Sequence, residues 1–159
     1  MNKTEILKWV NLGLAAVVFL YYVIRMGWLV NNGAGNDSKG TFVEATTVII
    51  ILITIPLGLV SVLPDSKKTL AHTKGIFVTL PVLGFFCLLN IISHASIISD
   101  LNTVIDLYEE FGNAAPTDEL KTQRNLFVLS VIIQVIHTAV YSTYTIFARK
   151  EIMSQGTMV

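Results

Sequence analysis

Cysteine, charge and catalytic signatures are what this chain has least of. Its one cysteine, Cys87, excludes an internal disulfide framework and a CxxC redox pair. Charged residues make up only 14% of the 159 positions and sum to zero, so no basic field points to nucleic acid, and no nucleic-acid-binding motif is present. The sequence has no HExxH zinc motif, no Ser/His/Asp arrangement suited to hydrolysis and no paired aspartates inside an apolar stretch. No catalytic residue, metal ligand or cofactor is therefore assigned, and the chain reads as non-enzymatic. Of the three histidines, His94 and His137 stand at depths about 10 Å apart at 1.5 Å per residue, too far to clamp one haem iron. His72 falls in a polar connection.

What the chain does have is apolar residues, at 53% with a mean hydropathy of +0.65. They gather into four blocks, each about long enough to cross a ~30 Å hydrocarbon core. The expected fold is an all-α membrane protein, a single domain over 1–159 with four transmembrane helices in an antiparallel bundle. The spans cover about 9–30, 43–63, 75–98 and 126–148. Trp9 and Trp28 lie about 28 Å apart along a helix, which places one indole at each interface of the first span. That span is long and ends in Arg25 and Trp28 without a small-residue cleavage site, so it is expected to stay as an uncleaved anchor. Asn31 to Gly40 reads as a loop, and Asp65 to Lys74 as a short basic connection. Pro56 and Pro81 fall inside spans and should bend them.

Basic residues set the orientation. Lys3, Lys8, Lys67, Lys68, Lys74, Arg149 and Lys150 fall on one side, and Lys39, Lys121 and Arg124 on the other, seven against three. Both termini should then face the cytoplasm. The sequon Asn36-Asp37-Ser38 lies in the first outer loop, close to the membrane.

The connection at about 99–125 is more than a loop. Leu101, Val104, Ile105, Tyr108 and Phe111 recur at helical spacing, in phase with Leu83, Cys87, Asn90, His94 and Ile97 upstream. Unbroken phase argues that span 3 continues past the membrane as one helix. Gly112-Asn113 would cap it, and Pro116-Thr117-Asp118 would start the next helix. Spans 3 and 4 would form an outer hairpin projecting roughly 20 Å at 1.5 Å per residue. A short amphipathic helix lying flat on the membrane is the other reading.

Polar residues inside the spans mark candidate binding or polar-core positions. Ser130, Gln134, His137, Tyr141 and Tyr144 share one face of span 4, and Cys87, Asn90 and His94 share one face of span 3. Counting depth from the outer ends puts Asn90 level with Gln134 and Cys87 level with His137, so the two carboxamides are expected to pair. The face of span 1 runs through Asn11, Ala15, Val18, Tyr22 and Arg25, and Arg25 is level with Glu44 at the start of span 2. An ion pair would relieve the cost of an isolated intramembrane charge. Thr47, Thr54, Gly58 and Ser61 line one side of span 2 with small residues that admit a close helix.

Interhelical packing explains most of these groups. The 99–125 hairpin carries six acidic and two basic residues, a net charge of −4, suited to a basic partner. The expected role is a non-catalytic multi-pass subunit or organiser of a membrane assembly. Its partners would be lipids and either other membrane subunits or further copies of itself. The alternative is a small oligomeric transporter or channel that uses Asn90, His94, Gln134 and His137.

Overall fold

The computed structural model describes residues 3–32, 38–62, 70–112 and 117–154. Among the described residues there are four α-helices and no strand: α1 (Lys3–Asn31), α2 (Ser38–Ser61), α3 (Leu70–Glu110) and α4 (Thr117–Ser154). Each contains a stretch long and apolar enough to cross a membrane.

Two boundaries differ from the sequence expectation. Ser38, Lys39 and Gly40 open α2 instead of closing a loop. Gly40 is buried and Lys39 Nζ reaches Asp100 Oδ2 at 2.6 Å, so tertiary contacts override a local loop preference. Helix α3 begins at Leu70, which places His72 and Lys74 in a helix and not in a connection. Leu70 to Lys74 contains no helix breaker, and a helix need not stop where its apolar stretch does. The remainder of the loop expectations, at 33–37 and 63–69, lies outside the described residues, as do most of the sequon, Asn113 and Pro116. Pro56 and Pro81 lie inside α2 and α3, which run through them.

The continuous third helix is present. It runs 41 residues to Glu110 and ends where Gly112 takes φ +64°, with Phe111 N–H donating to Leu107 O at 3.0 Å. Glycine meets that left-handed conformation without a Cβ clash. Helix α4 starts at Thr117 with Asp118 and Glu119 in its first turn, where carboxylates favour the positive end of the helix dipole.

The backbone of each helix lies close to those of two neighbours. Helix α1 packs on α2 and α4, and α3 packs on α2 and α4, which makes a four-cornered ring. Contacts set the directions. Arg25 meets Glu44 while the Gly58 region meets Leu12, Lys39 meets Asp100 while Thr46 meets Asn90, and Cys87 meets Thr138 while Asn102 meets Arg124. Neighbouring helices are therefore antiparallel. Arg124 to Asn102 and Lys121 to Glu109 hold α4 against α3 beyond the level where α2 begins, so these two helices form a hairpin. A separate flat helix is excluded because α3 does not break.

The bundle is inside-out by the standards of a water-soluble one. Ile24, Leu52 and Val78 are 65 to 67% exposed, while Arg25 is 1% exposed. Thr143 on the outer surface donates its hydroxyl to Ala139 O at 2.8 Å, as Thr103 does to Ser99 O, so these hydroxyls need no solvent. Two apolar clusters fill the interior: Ile50, Leu57, Leu83, Cys87, Tyr141 and Tyr144, and, at the other end, Leu29, Val43, Ile97, Leu101 and Phe127. Polar side chains occupy the layer between them.

Helices α1 and α2 approach closely at Gly58. A Cβ there would sit 3.3 Å from Ala15 Cβ and 3.5 Å from Leu12 Cδ1. Gly58→Val is expected to force the helices apart and cost about 1–3 kcal/mol, the usual penalty of overpacking. Gly13 and Gly84 have open space around the same position. Gly13→Ala and Gly84→Ala should then leave stability unchanged or raise it by about 0.5–1 kcal/mol. Reversible unfolding in mixed detergent measures all three, and equal behaviour at Gly58 and Gly13 would refute the close approach.

Candidate functional site

Arg25 sits at the centre of the polar layer and draws one residue from each of the other helices. Its Nη2 reaches Glu44 Oε1 at 2.8 Å and Oε2 at 2.7 Å. Its Nη1 donates to Ser130 Oγ at 2.9 Å and to His94 Nε2 at 2.8 Å. Arginine has no acceptor, so His94 Nε2 must accept. The His94 proton therefore lies on Nδ1, which donates to Asn90 O at 2.8 Å. His94 is neutral in this arrangement, with both ring nitrogens in use. Phe127 packs edge-on to the His94 ring with centroids 5.3 Å apart. The guanidinium carbon also lies 5.4 Å from the Phe127 centroid and 5.7 Å from that of Tyr22, within range for a cation–π attraction.

The expected Arg25–Glu44 ion pair is formed, with the two side chains 1% and 16% exposed. Helical spacing explains the convergence. Arg25 follows Val18 and Tyr22 on the inward face of α1, and Ser130 follows Phe127 on that of α4. Phe127 went unnoticed in the sequence, although it stands three residues before Ser130 and so on the same face.

The expected Asn90–Gln134 pair is not formed. Asn90 Nδ2 instead donates to Thr46 Oγ1 at 2.6 Å, Thr47 Oγ1 at 2.9 Å and Val43 O at 3.1 Å, all on α2. The two carboxamides are on different helices at similar depth, but Asn90 lies on the side of α3 that meets α2. Cys87 likewise pairs with Thr138, whose hydroxyl lies 3.3 Å from Sγ, and not with His137. Thr46 is a partner that sequence reasoning missed, because the small-residue stripe drew attention only to Thr47.

Gln134 and His137 are both buried, and Gln134 Oε1 and His137 Nε2 have no protein partner. Asn11 and Thr54 carry buried polar atoms in the same condition. Beside Arg25 is a cavity of about 10 Å³ between α1, α2 and α4, touched by Tyr22, Thr47, Ser130 and Gln134. That volume is about one water molecule, far below the 300 Å³ or more of a small-molecule pocket. Among the described residues, no three His, Cys, Asp or Glu side chains converge to hold a metal ion.

Breaking a buried ion pair strands the remaining charge, typically at about 3–5 kcal/mol. Glu44→Gln is therefore expected to destabilise the protein strongly, and adding Arg25→Gln should recover part of the loss. A double-mutant cycle by unfolding in mixed micelles checks this. Strictly additive losses would show that the two groups do not interact.

No family model, curated protein or solved structure matches this chain, so the functional reading rests on its geometry.

Proposed function

We propose that this chain is a four-span membrane protein that acts as a non-catalytic subunit or organiser of a membrane assembly. The observation that carries the reading is the closed polar core. The two terminal nitrogens of the Arg25 guanidinium are occupied by Glu44, His94 and Ser130, and the cavity beside it is water-sized. Such a core fixes helices against one another, and the space beside Arg25 admits about one water and not a substrate. The apolar exterior supports insertion, since lipid-facing side chains of this kind would carry a large penalty in water. The excess of Lys and Arg at the two termini and in the 2–3 connection supports cytoplasmic termini.

A small transporter or channel is the second reading. Six inward polar side chains among the described residues lack a complete set of protein partners and favour it: Asn11, Arg25 at Nε, Thr54, Asn90 at Oδ1, Gln134 and His137. Internal waters that satisfied them would make a polar path along part of the bundle axis.

Topology is tested with single cysteines in a Cys87→Ser background. Gly35→Cys and Asn113→Cys are expected to react with an impermeant thiol reagent added outside the cell, and Ser66→Cys and Ser154→Cys only after permeabilisation. The opposite pattern would overturn the orientation.

Purification in mild detergent separates the two functions. A stoichiometric partner that stays bound is expected. Gln134→Leu and His137→Phe should then lower stability by about 1 kcal/mol each or less, as interhelical polar contacts in membranes do, with assembly falling in proportion. A chain that purifies alone and carries solute flux in liposomes would favour transport, provided His137→Phe abolishes the flux while the protein stays folded.

A further inference from the structure

The face of α3 that packs against α2 does not end where α2 ends. Asn90, Ser93, Ile97 and Asp100 recur at steps of three and four residues along it. Of these, Asn90 bonds to Thr46 and Thr47 and Asp100 to Lys39, at the first turn of α2. The same steps lead on to Val104, Leu107 and Phe111, past the α2 N-terminus at Ser38. A seam at this period keeps one face of a helix toward one partner. Here the described part of the partner stops, and the same face of α3, polar where it meets α2, becomes apolar.

The uncovered end is exposed. Val104 is 38%, Leu107 48% and Phe111 78% exposed, and together with Tyr108 they border an apolar depression of about 440 Å³. The neighbouring side of α3, turned toward the bundle interior and α4, is occupied, since Leu101 and Ile105 are buried and Glu109 pairs with Lys121 of α4. The connection at 33–37, Gly-Ala-Gly-Asn-Asp, has no large apolar side chain with which to fill the depression.

We infer that this stripe is a docking site for a cationic amphipathic helix of another polypeptide, seated on α3 where α2 would have continued. Three observations select that occupant. The stripe continues an existing helix–helix interface, so its geometry already suits a helix. Val104, Leu107 and Phe111 span two turns, about 10 Å at 1.5 Å per residue, which suits apolar anchors at i, i+3, i+4 and i+7. The hairpin that carries it is acidic, with a net −4 over 99–125, of which Lys39 of α2 offsets one charge at Asp100. With Glu109 paired to Lys121, the four carboxylates Asp106, Glu110, Asp118 and Glu119 stand against Arg124 alone, a net −3 on the hairpin, which attracts a cationic partner and repels an acidic one.

The proposal rests on the reading of the chain as an assembly subunit and names the chemistry of its partner. The test uses the whole protein in nanodiscs of neutral phosphatidylcholine. The probe is a labelled synthetic helix of leucine and lysine with leucines at i, i+3, i+4 and i+7, compared with a counterpart bearing glutamate for lysine. Fluorescence anisotropy is expected to show saturable binding of the lysine peptide, and at least about tenfold weaker binding of the glutamate one. Leu107→Ser with Phe111→Ser should weaken the lysine peptide by a further factor of about ten or more. These side chains are exposed, so helicity and thermal unfolding should not change. Phe111→Lys provides a second variant with the same expected direction. Equal binding of the two peptides, binding unaffected by either variant, or a signal fully reproduced by protein-free nanodiscs would overturn the proposal. Failure of the wider reading is separately visible. A chain that purifies alone yet binds the lysine peptide through Phe111 retires the assembly role and keeps the surface. A partner that stays bound to the Leu107→Ser, Phe111→Ser protein retires the surface and keeps the role.

Discussion

A positive charge buried to 1% exposure has to be compensated by its surroundings, and Arg25 is the constraint around which the rest of this bundle is arranged. Its partners are Glu44 of α2, His94 of α3 and Ser130 of α4, so one side chain from every helix meets at a single level. Sliding any helix by one turn, about 5.4 Å, would remove a partner and leave part of the charge unpaired. Apolar packing alone is tolerant of such slips, because one aliphatic side chain substitutes for another. The charged cluster is not tolerant, and it fixes the vertical register of all four helices at once.

From that level the polarity of the structure follows in both directions. Asn90 receives the His94 proton on its carbonyl and turns its own amide toward Thr46, Thr47 and Val43, which extends the polar layer into the α2–α3 interface. Tyr21 donates to Leu126 O at 2.6 Å and adds a polar contact between α1 and α4. Apolar clusters then close both ends of the layer. A low-dielectric interior strengthens each of these hydrogen bonds and raises the cost of any group left without one. Gln134, His137, Thr54 and Asn11 carry such groups, and all are on inward faces. Their positions are what keeps a hydrated path open as the second reading of function.

The parts of this arrangement that were legible in the sequence were those set by helical period and by charge. Ser130, Gln134, His137, Tyr141 and Tyr144 share a buried face because steps of four and three keep them there. Arg25 and Glu44 could be paired because Glu44 is the nearest carboxylate at that depth and the arginine side chain is long. The partner of Asn90 was not legible. Depth counting gives the level of a residue along the axis and nothing about which way it is turned around that axis. Helix α3 has neighbours on two sides, and Asn90 faces the one on α2. The start of α2 was missed for a related reason. Ser38 to Gly40 has loop-forming chemistry, and the helix there comes with tertiary contacts that local sequence does not display, the burial of Gly40 and the pairing of Lys39 with Asp100, 61 residues away.

Helix length connects the core to the surface. Helices α1 and α2 have 29 and 24 residues, and α3 and α4 have 41 and 38. Because the charged cluster aligns all four at one level, the excess length of α3 and α4 cannot be shared between the two ends freely. Lys39 beside Asp100 marks where α2 begins, and α3 continues for Leu101 to Glu110 with α4 beside it and α2 absent. A helix that loses one of two neighbours keeps one covered face and exposes another. Ile105 and Leu107 show the result, at 3% and 48% exposure two residues apart on the same helix. A purely solvent-facing extension would carry polar residues on that second face. Val104, Leu107 and Phe111 lie there instead, which leaves an apolar face that the described helices of the chain do not cover.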